Sequence, residues 1–188
     1  MTHDTFSQLP QGARYTIDIQ KGDILFRQNQ LTSGLYQVIS GCVTLQRTSE
    51  NGETLTLHCA QSNGYFAEAS VFSEVYHCDA ICTQAGRVFK IAKDDIIEAL
   101  RTNPAFSEGF AKLLAVQVQH YRAQIEILAI RSAKDRVLAA LQAGYLDATV
   151  TEFATRINLS HEACYRALRV LCDTGSIVQV GRGQYRTR

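Results

Sequence analysis

Between Ile91 and Lys93 the chain changes its hydrophobic period, and that change limits the folds open to it. Before it come short runs rich in β-branched and aromatic residues: "GDILFRQ", "GLYQVISG", "CVTLQRT", "ETLTLHCA" and "GRVFKIA". Gly22, Gly34, Gly41, Gly52, Gly64 and Gly86 fall between these runs or at their edges. Such runs read as strands and the glycines as turn signals. "TLTLHC" alternates, which puts Leu55, Leu57 and Cys59 on one face and Thr56 and His58 on the other. Asn51-Gly52 reads as a two-residue hairpin turn, because both residues tolerate positive φ. Many short strands with regular turns make a small antiparallel barrel or roll. Beyond the change, apolar residues recur every three or four positions, which is the helical period. The predicted fold class is therefore α+β, with an antiparallel β-roll in front and helices behind.

"KDDIIEALRTN" predicts a short helix that ends before Pro104, since the residue preceding a proline avoids helical geometry. Pro104 suits the first turn of a second helix running to about Ile130, roughly 40 Å long at 1.5 Å per residue. Along it Ala111, Leu114, Val118, Tyr121, Ile125 and Leu128 keep 3,4 spacing, the pattern of a coiled-coil seam. That stripe predicts a parallel homodimer; the other reading is a helix lying on its own domain. "SAKDRVLAALQAG" reads as a further short helix, and "TVTEFATRINLSHEACYRALRVLCDTG" as two helices joined by a tight turn. Thr149 and Glu152 fit a capping box, Ser160 is a good N-cap for the second helix, and Gly175 closes it. "SIVQVGRGQYRTR" adds two strands around Gly181-Arg182-Gly183, the wing of a winged helix-turn-helix.

In that motif the second helix enters the DNA major groove. Glu162 and Arg166 share a helix face at i,i+4; Arg can donate twice to guanine O6 and N7, and Glu can accept from cytosine N4. Thr149, Ser160, Arg169 and Arg182 are placed for phosphates, which fix register rather than sequence. Charge agrees with this assignment. Residues 1–130 carry ten Lys/Arg against thirteen Asp/Glu, and residues 131–188 carry nine against five, so the tail suits a polyanion. The competing reading is a helical hairpin whose Glu162 and Arg166 form a solvated ion pair.

The order of these parts resembles the cyclic-AMP receptor protein and its oxygen-sensing (fumarate-nitrate reductase) relatives, bacterial transcription regulators. "KGDILFRQN", "GLYQVISGCVTL" and "NGETLTL" resemble the family's cyclic-nucleotide-binding roll, and "SHEACYRALRVLCDTGSI" resembles its recognition helix. The resemblance implies that Glu162 and Arg166 read base edges of a palindromic site bound by a dimer. It also implies that His161 stands where the cyclic-AMP receptor has another base-reading Arg, and that RNA polymerase is a partner. Cyclic-nucleotide binders of the family carry Gly-Glu-Leu and, ten residues after the Glu, Arg-Ser-Ala. Here Ala67-Glu68-Ala69 and Cys78-Asp79-Ala80 stand at that spacing. A cation that would hold phosphate is replaced by a thiol and a hydroxyl by a carboxylate, so cyclic AMP is not expected as the effector.

Glu68, His77, Cys78 and Asp79 are the effector-pocket candidates. Three occupancies stay open: a packed pocket or an unknown small molecule, a haem or soft-metal site at His77 and Cys78, and a thiol switch at Cys78. Cys78 and Cys82 lie about 13 Å apart if extended, too far to share one ion. The six cysteines include no Cys-x-x-Cys pair and are expected to be mostly thiols in a cytoplasmic protein. No signal peptide and no apolar run of about twenty residues is present, so no membrane partner is expected. No nucleophile–base set or phosphate loop is evident, so an enzyme is not expected. The expected organisation is a sensor roll over 1–102, a dimerisation helix over 103–130 and a winged helix-turn-helix over 131–188. The expected function is a homodimeric DNA-binding regulator; the alternative is a roll-type ligand, haem or metal sensor whose tail does not bind DNA.

Overall fold

The computed structural model describes residues 5–49, 51–52, 54–146 and 149–187. The chain forms two compact units, Met1–Ala115 and Val116–Arg188. No helix of the described residues is long and apolar enough to cross a membrane.

The first unit is an antiparallel roll of β1 (Arg14–Ile19), β2 (Ile24–Phe26), β3 (Gly34–Thr48), β4 (Thr54–Ala60), β5 (Tyr65–Phe66) and β6 (Asp79–Ala92). The sheet order is β1-β6-β3-β4, with β2 also on β6 and β5 also on β3. β3 and β6 run straight through Gly41 and Gly86, which the sequence pattern had assigned to boundaries between strands. A Cβ on Gly41 (φ 86°) would lie 2.5 Å from the Gln84 carbonyl oxygen, and one on Gly86 would strike the Ser40 carbonyl. Both glycines serve a close backbone approach at a bulge, where the register shifts around Ser40 and Cys42. A second bulge between Leu45 and Gln46 spoils the alternation expected of β4. Leu57 packs on the interior while Leu55 is 59% exposed. The last described pair of β3 with β4 is Thr48–Thr54, and the expected Asn51-Gly52 turn falls in the connection beyond it. Gly52 supplies positive φ in it and donates to the Ser49 carbonyl; Glu50 and Glu53 lie outside the described residues.

Aromatic rings fill the roll. Phe26 stacks on Tyr76 with centroids 3.7 Å apart, and Tyr36 stacks on Phe66 at 5.0 Å. The Tyr76 hydroxyl donates to the Gly34 carbonyl at 2.8 Å and accepts from the amides of Ser33 and Gly34, so this buried phenol keeps its hydrogen bonds. A second cluster joins Phe6, Leu35, Ile91 and Ile96 to Phe106 and Phe110. Phe6 reaches it from a 3-10 turn at Thr5–Gln8; α1 (Lys93–Thr102) and the start of α2 (Pro104–Ala129) supply the rest. Leu114, expected on the dimer seam, is half-buried and packs in part against this cluster.

The second unit takes the remainder of α2 with α3 (Ala133–Gln142), α4 (Val150–Arg156), α5 (His161–Asp173), β7 (Ile177–Gly181) and β8 (Gln184–Thr187). Val137, Phe153, Ile157, Leu168 and Leu171 form its core. Ser132 caps α3 by accepting from the Asp135 amide at 3.3 Å. Arg136 donates Nε to the Ile130 carbonyl at 2.8 Å and Nη1 to the carbonyls of Ile157 and Asn158 at 3.2 Å. One guanidinium thereby satisfies carbonyls at the ends of two helices.

Candidate nucleic-acid interface and effector pocket

Local chemistry positions α5. The capping box at the start of α4 is complete: the Thr149 amide donates to Glu152 Oε2 at 3.0 Å, and the Glu152 amide donates to Thr149 Oγ1 at 3.2 Å. Asn158 turns the chain after α4 in the left-handed region (φ 52°), which Asn tolerates better than most residues. Ser160 then starts α5 by accepting from the Ala163 amide at 3.1 Å. Cys164, Ala167, Leu168 and Leu171 anchor one face of α5 in the core. Burial pushes the Cys164 thiol up to about 11. The opposite face is thereby committed to solvent, where His161, Glu162, Tyr165, Arg166 and Arg169 line one open groove of about 570 Å³.

Within that groove His161 is held by its neighbours. Its Nε2 shares a hydrogen bond with Thr151 Oγ1 at 2.9 Å, and its ring meets Tyr165 edge-on with centroids 4.7 Å apart. With Nε2 engaged, any bond from His161 to a base falls to Nδ1. Tyr165 was not among the residues expected here; its i+4 spacing from His161 was the available signal. Arg182 is exposed at the wing turn, and the Ser160 hydroxyl, used as an acceptor by the cap, can still donate. Thr149 is a poorer phosphate contact than expected. Its hydroxyl donates to Glu152 Oε2 at 2.9 Å and its amide is spent on the same carboxylate.

In the roll, the loop before β6 carries the effector candidates. Ala67 adopts left-handed geometry (φ 64°), a conformation that costs a non-glycine residue about 1–2 kcal/mol. It starts the 3-10 turn Glu68–Ser70, which buries the Glu68 side chain. Asp79 Oδ1 accepts from the Gln28 amide at 2.7 Å. Glu68 and Asp79 each come within electrostatic reach of the Cys78 thiol. So does Arg47 of β3, which donates Nε and Nη2 to the His77 carbonyl at 3.1 and 2.9 Å. Arg47 was not anticipated, because only the β3–β6 register, with Gln46 opposite Asp79, carries it there.

His77 leaves the group: its side chain is exposed and Nε2 bonds Ser73 Oγ at 3.0 Å, while Cys78 points into the interior cluster. Imidazole and thiol thus diverge, and the stacked rings occupy the interior, so the residues present do not fit a haem or soft metal held by His77 and Cys78. Among the described residues no three His, Cys, Asp or Glu side chains form a metal-holding group. The activated thiol proposed for Cys78 is also not found. Burial raises its pKa, Asp79 and Glu68 add to the rise, and Arg47 only opposes them.

Residues 16–103 match the family model for the cyclic nucleotide-binding domain. The chain is 27% identical over 176 residues to the cyclic AMP receptor protein of Thermus thermophilus, covering 89% of this chain and 81% of that one. Its fold matches FixK2 from Bradyrhizobium japonicum with a TM-score of 0.77 at 16% identity, over 93% of this chain and 92% of that one. It also matches the c-di-GMP-responsive global regulator CLP of Xanthomonas campestris, with a TM-score of 0.68 at 17% identity over 90% and 91%. With a cyclic nucleotide-binding domain followed by a long helix and a winged helix-turn-helix, the chain is similar over most of its length to bacterial transcription regulators of the cyclic-AMP receptor and oxygen-sensing type.

Proposed function

We propose that the protein is a homodimeric, sequence-specific DNA-binding regulator that reads a palindromic site through α5 and does not respond to cyclic AMP. The observation that carries this reading is the single exposed face of α5, where His161, Glu162, Tyr165, Arg166 and Arg169 line one groove while the opposite face is locked in the core. Arg166 would pair with guanine O6 and N7, and Glu162 with cytosine N4. Ser160, Arg169 and Arg182 would hold phosphates, and RNA polymerase is the partner through which binding would change transcription. Against cyclic AMP stands the pocket's charge. Glu68 and Asp79 supply two carboxylates and Arg47 one cation, an unfavourable balance for a phosphodiester.

Fluorescence anisotropy on a palindrome selected from random DNA tests the DNA reading. Arg166→Ala should weaken specific binding about 10- to 100-fold, as expected for a base contact worth about 1–3 kcal/mol. Arg182→Ala should weaken all sequences alike and lower the salt slope by about one. Palindrome affinity indifferent to Arg166 would refute DNA reading by α5. Calorimetric titration with cyclic AMP, and with c-di-GMP in a parallel arm, tests the effector claim. Micromolar cyclic AMP binding would overturn it.

A further inference from the structure

We propose that Cys42 and Cys59 form an oxidisable dithiol, a disulfide-forming site whose reactant is a two-electron oxidant of the peroxide class. The two Sγ atoms lie 2.8 Å apart across β3 and β4, where a covalent S–S bond would be about 2.05 Å. The ladder alone does not place them together. Thr44 is the direct partner of Cys59 and Val43 that of Ala60, so Cys42 sits a diagonal step away. The register irregularities on both sides of Cys42 re-aim it toward Cys59, and Gly41 beside it permits the tight backbone. Cys82, the next thiol on the sheet, turns aside to donate to the Gln84 carbonyl at 3.2 Å.

Exposure sets the order of the steps. Cys42 is 4% exposed, whereas Cys59 is only partly buried and meets the oxidant first. Thr44 Oγ1 lies 3.9 Å from Cys59 Sγ and can donate to it. The Cys59 thiolate attacks one peroxide oxygen and breaks the O–O bond; after proton transfer this gives a sulfenic acid and water. Cys42 sulfur then attacks the Cys59 sulfur, forming the disulfide and expelling the hydroxyl as a second water. The pair loses two electrons and two protons, peroxide takes up both, and a dithiol reductant reverses the bond.

The test uses the reduced full-length chain, a small molar excess of hydrogen peroxide, maleimide blocking under denaturing conditions and non-reducing peptide mapping. The expected product has lost two hydrogens, leaves two of the six cysteines closed to maleimide, and yields one cross-linked pair, Cys42 with Cys59. Reductant should restore both sites. Six open cysteines after treatment, higher oxides at Cys59 without a cross-link, or a cross-link through Cys78, Cys82, Cys164 or Cys172 would each overturn the proposal. Cys42→Ala should also trap the Cys59 sulfenic acid with dimedone, and labelling of another cysteine instead would reject the assigned order. None of these readouts depends on DNA binding.

Discussion

At the scale of single residues, the second unit is marked by a thiol whose ionisation burial holds back. Cys164 is fully buried beneath the groove face of α5, and its pKa rises from 9.0 to about 11. Above pH 9 the unfolded chain loses this proton while the folded chain keeps it, so the free energy of unfolding falls as pH rises. Stability owed to Cys164 is complete below pH 9 and is lost as pH climbs toward about 11. Urea melts of the protein across this window should show a falling midpoint, and Cys164→Ala should flatten the fall. Residues of this kind were legible beforehand, because Cys164, Leu168 and Leu171 follow the helical period. Arg47 was not, since its place beside Cys78 depends on a strand register that periodicity leaves open.

At the scale of elements, caps and stripes were readable and bulges were not. Thr149, Glu152 and Ser160 announce helix starts in their own local sequence, and the structure uses each as a cap. Gly41 and Gly86 look the same in sequence as turn glycines, yet each admits a neighbouring strand's backbone. Phe6, isolated among polar residues, offers no period at all, although it packs against Phe106 and Phe110. Arg136 has the same character. Its fork ties the end of α2 and the turn after α4 to α3 through three carbonyls. Arg136→Ala should cost about 2–3 kcal/mol in a denaturant melt, the worth of charge-assisted bonds lost together. Arg136→Lys should recover little, because an ammonium lacks the planar fork.

At the scale of the whole molecule, the question is what covers α2. Val118 is 47% and Ile125 64% exposed, both on the stripe read as a dimer seam, whereas Leu114 is half-buried and packs in part against the roll's second cluster. The proposed dimer therefore draws on the later turns of the helix. Ile125→Asp should halve the mass seen by light scattering and weaken palindrome binding at least about 100-fold, since two linked half-sites exchange avidity for a single contact. Leu114→Ala should leave the mass of a dimer unchanged. Phe6 and Phe110 also set a schedule for synthesis. At roughly 5–20 residues per second, about 5–20 s separate the emergence of one ring from the other. Through that interval Phe6 has no finished cluster to enter, and the roll's second core can close only after the first turns of α2 have left the ribosome.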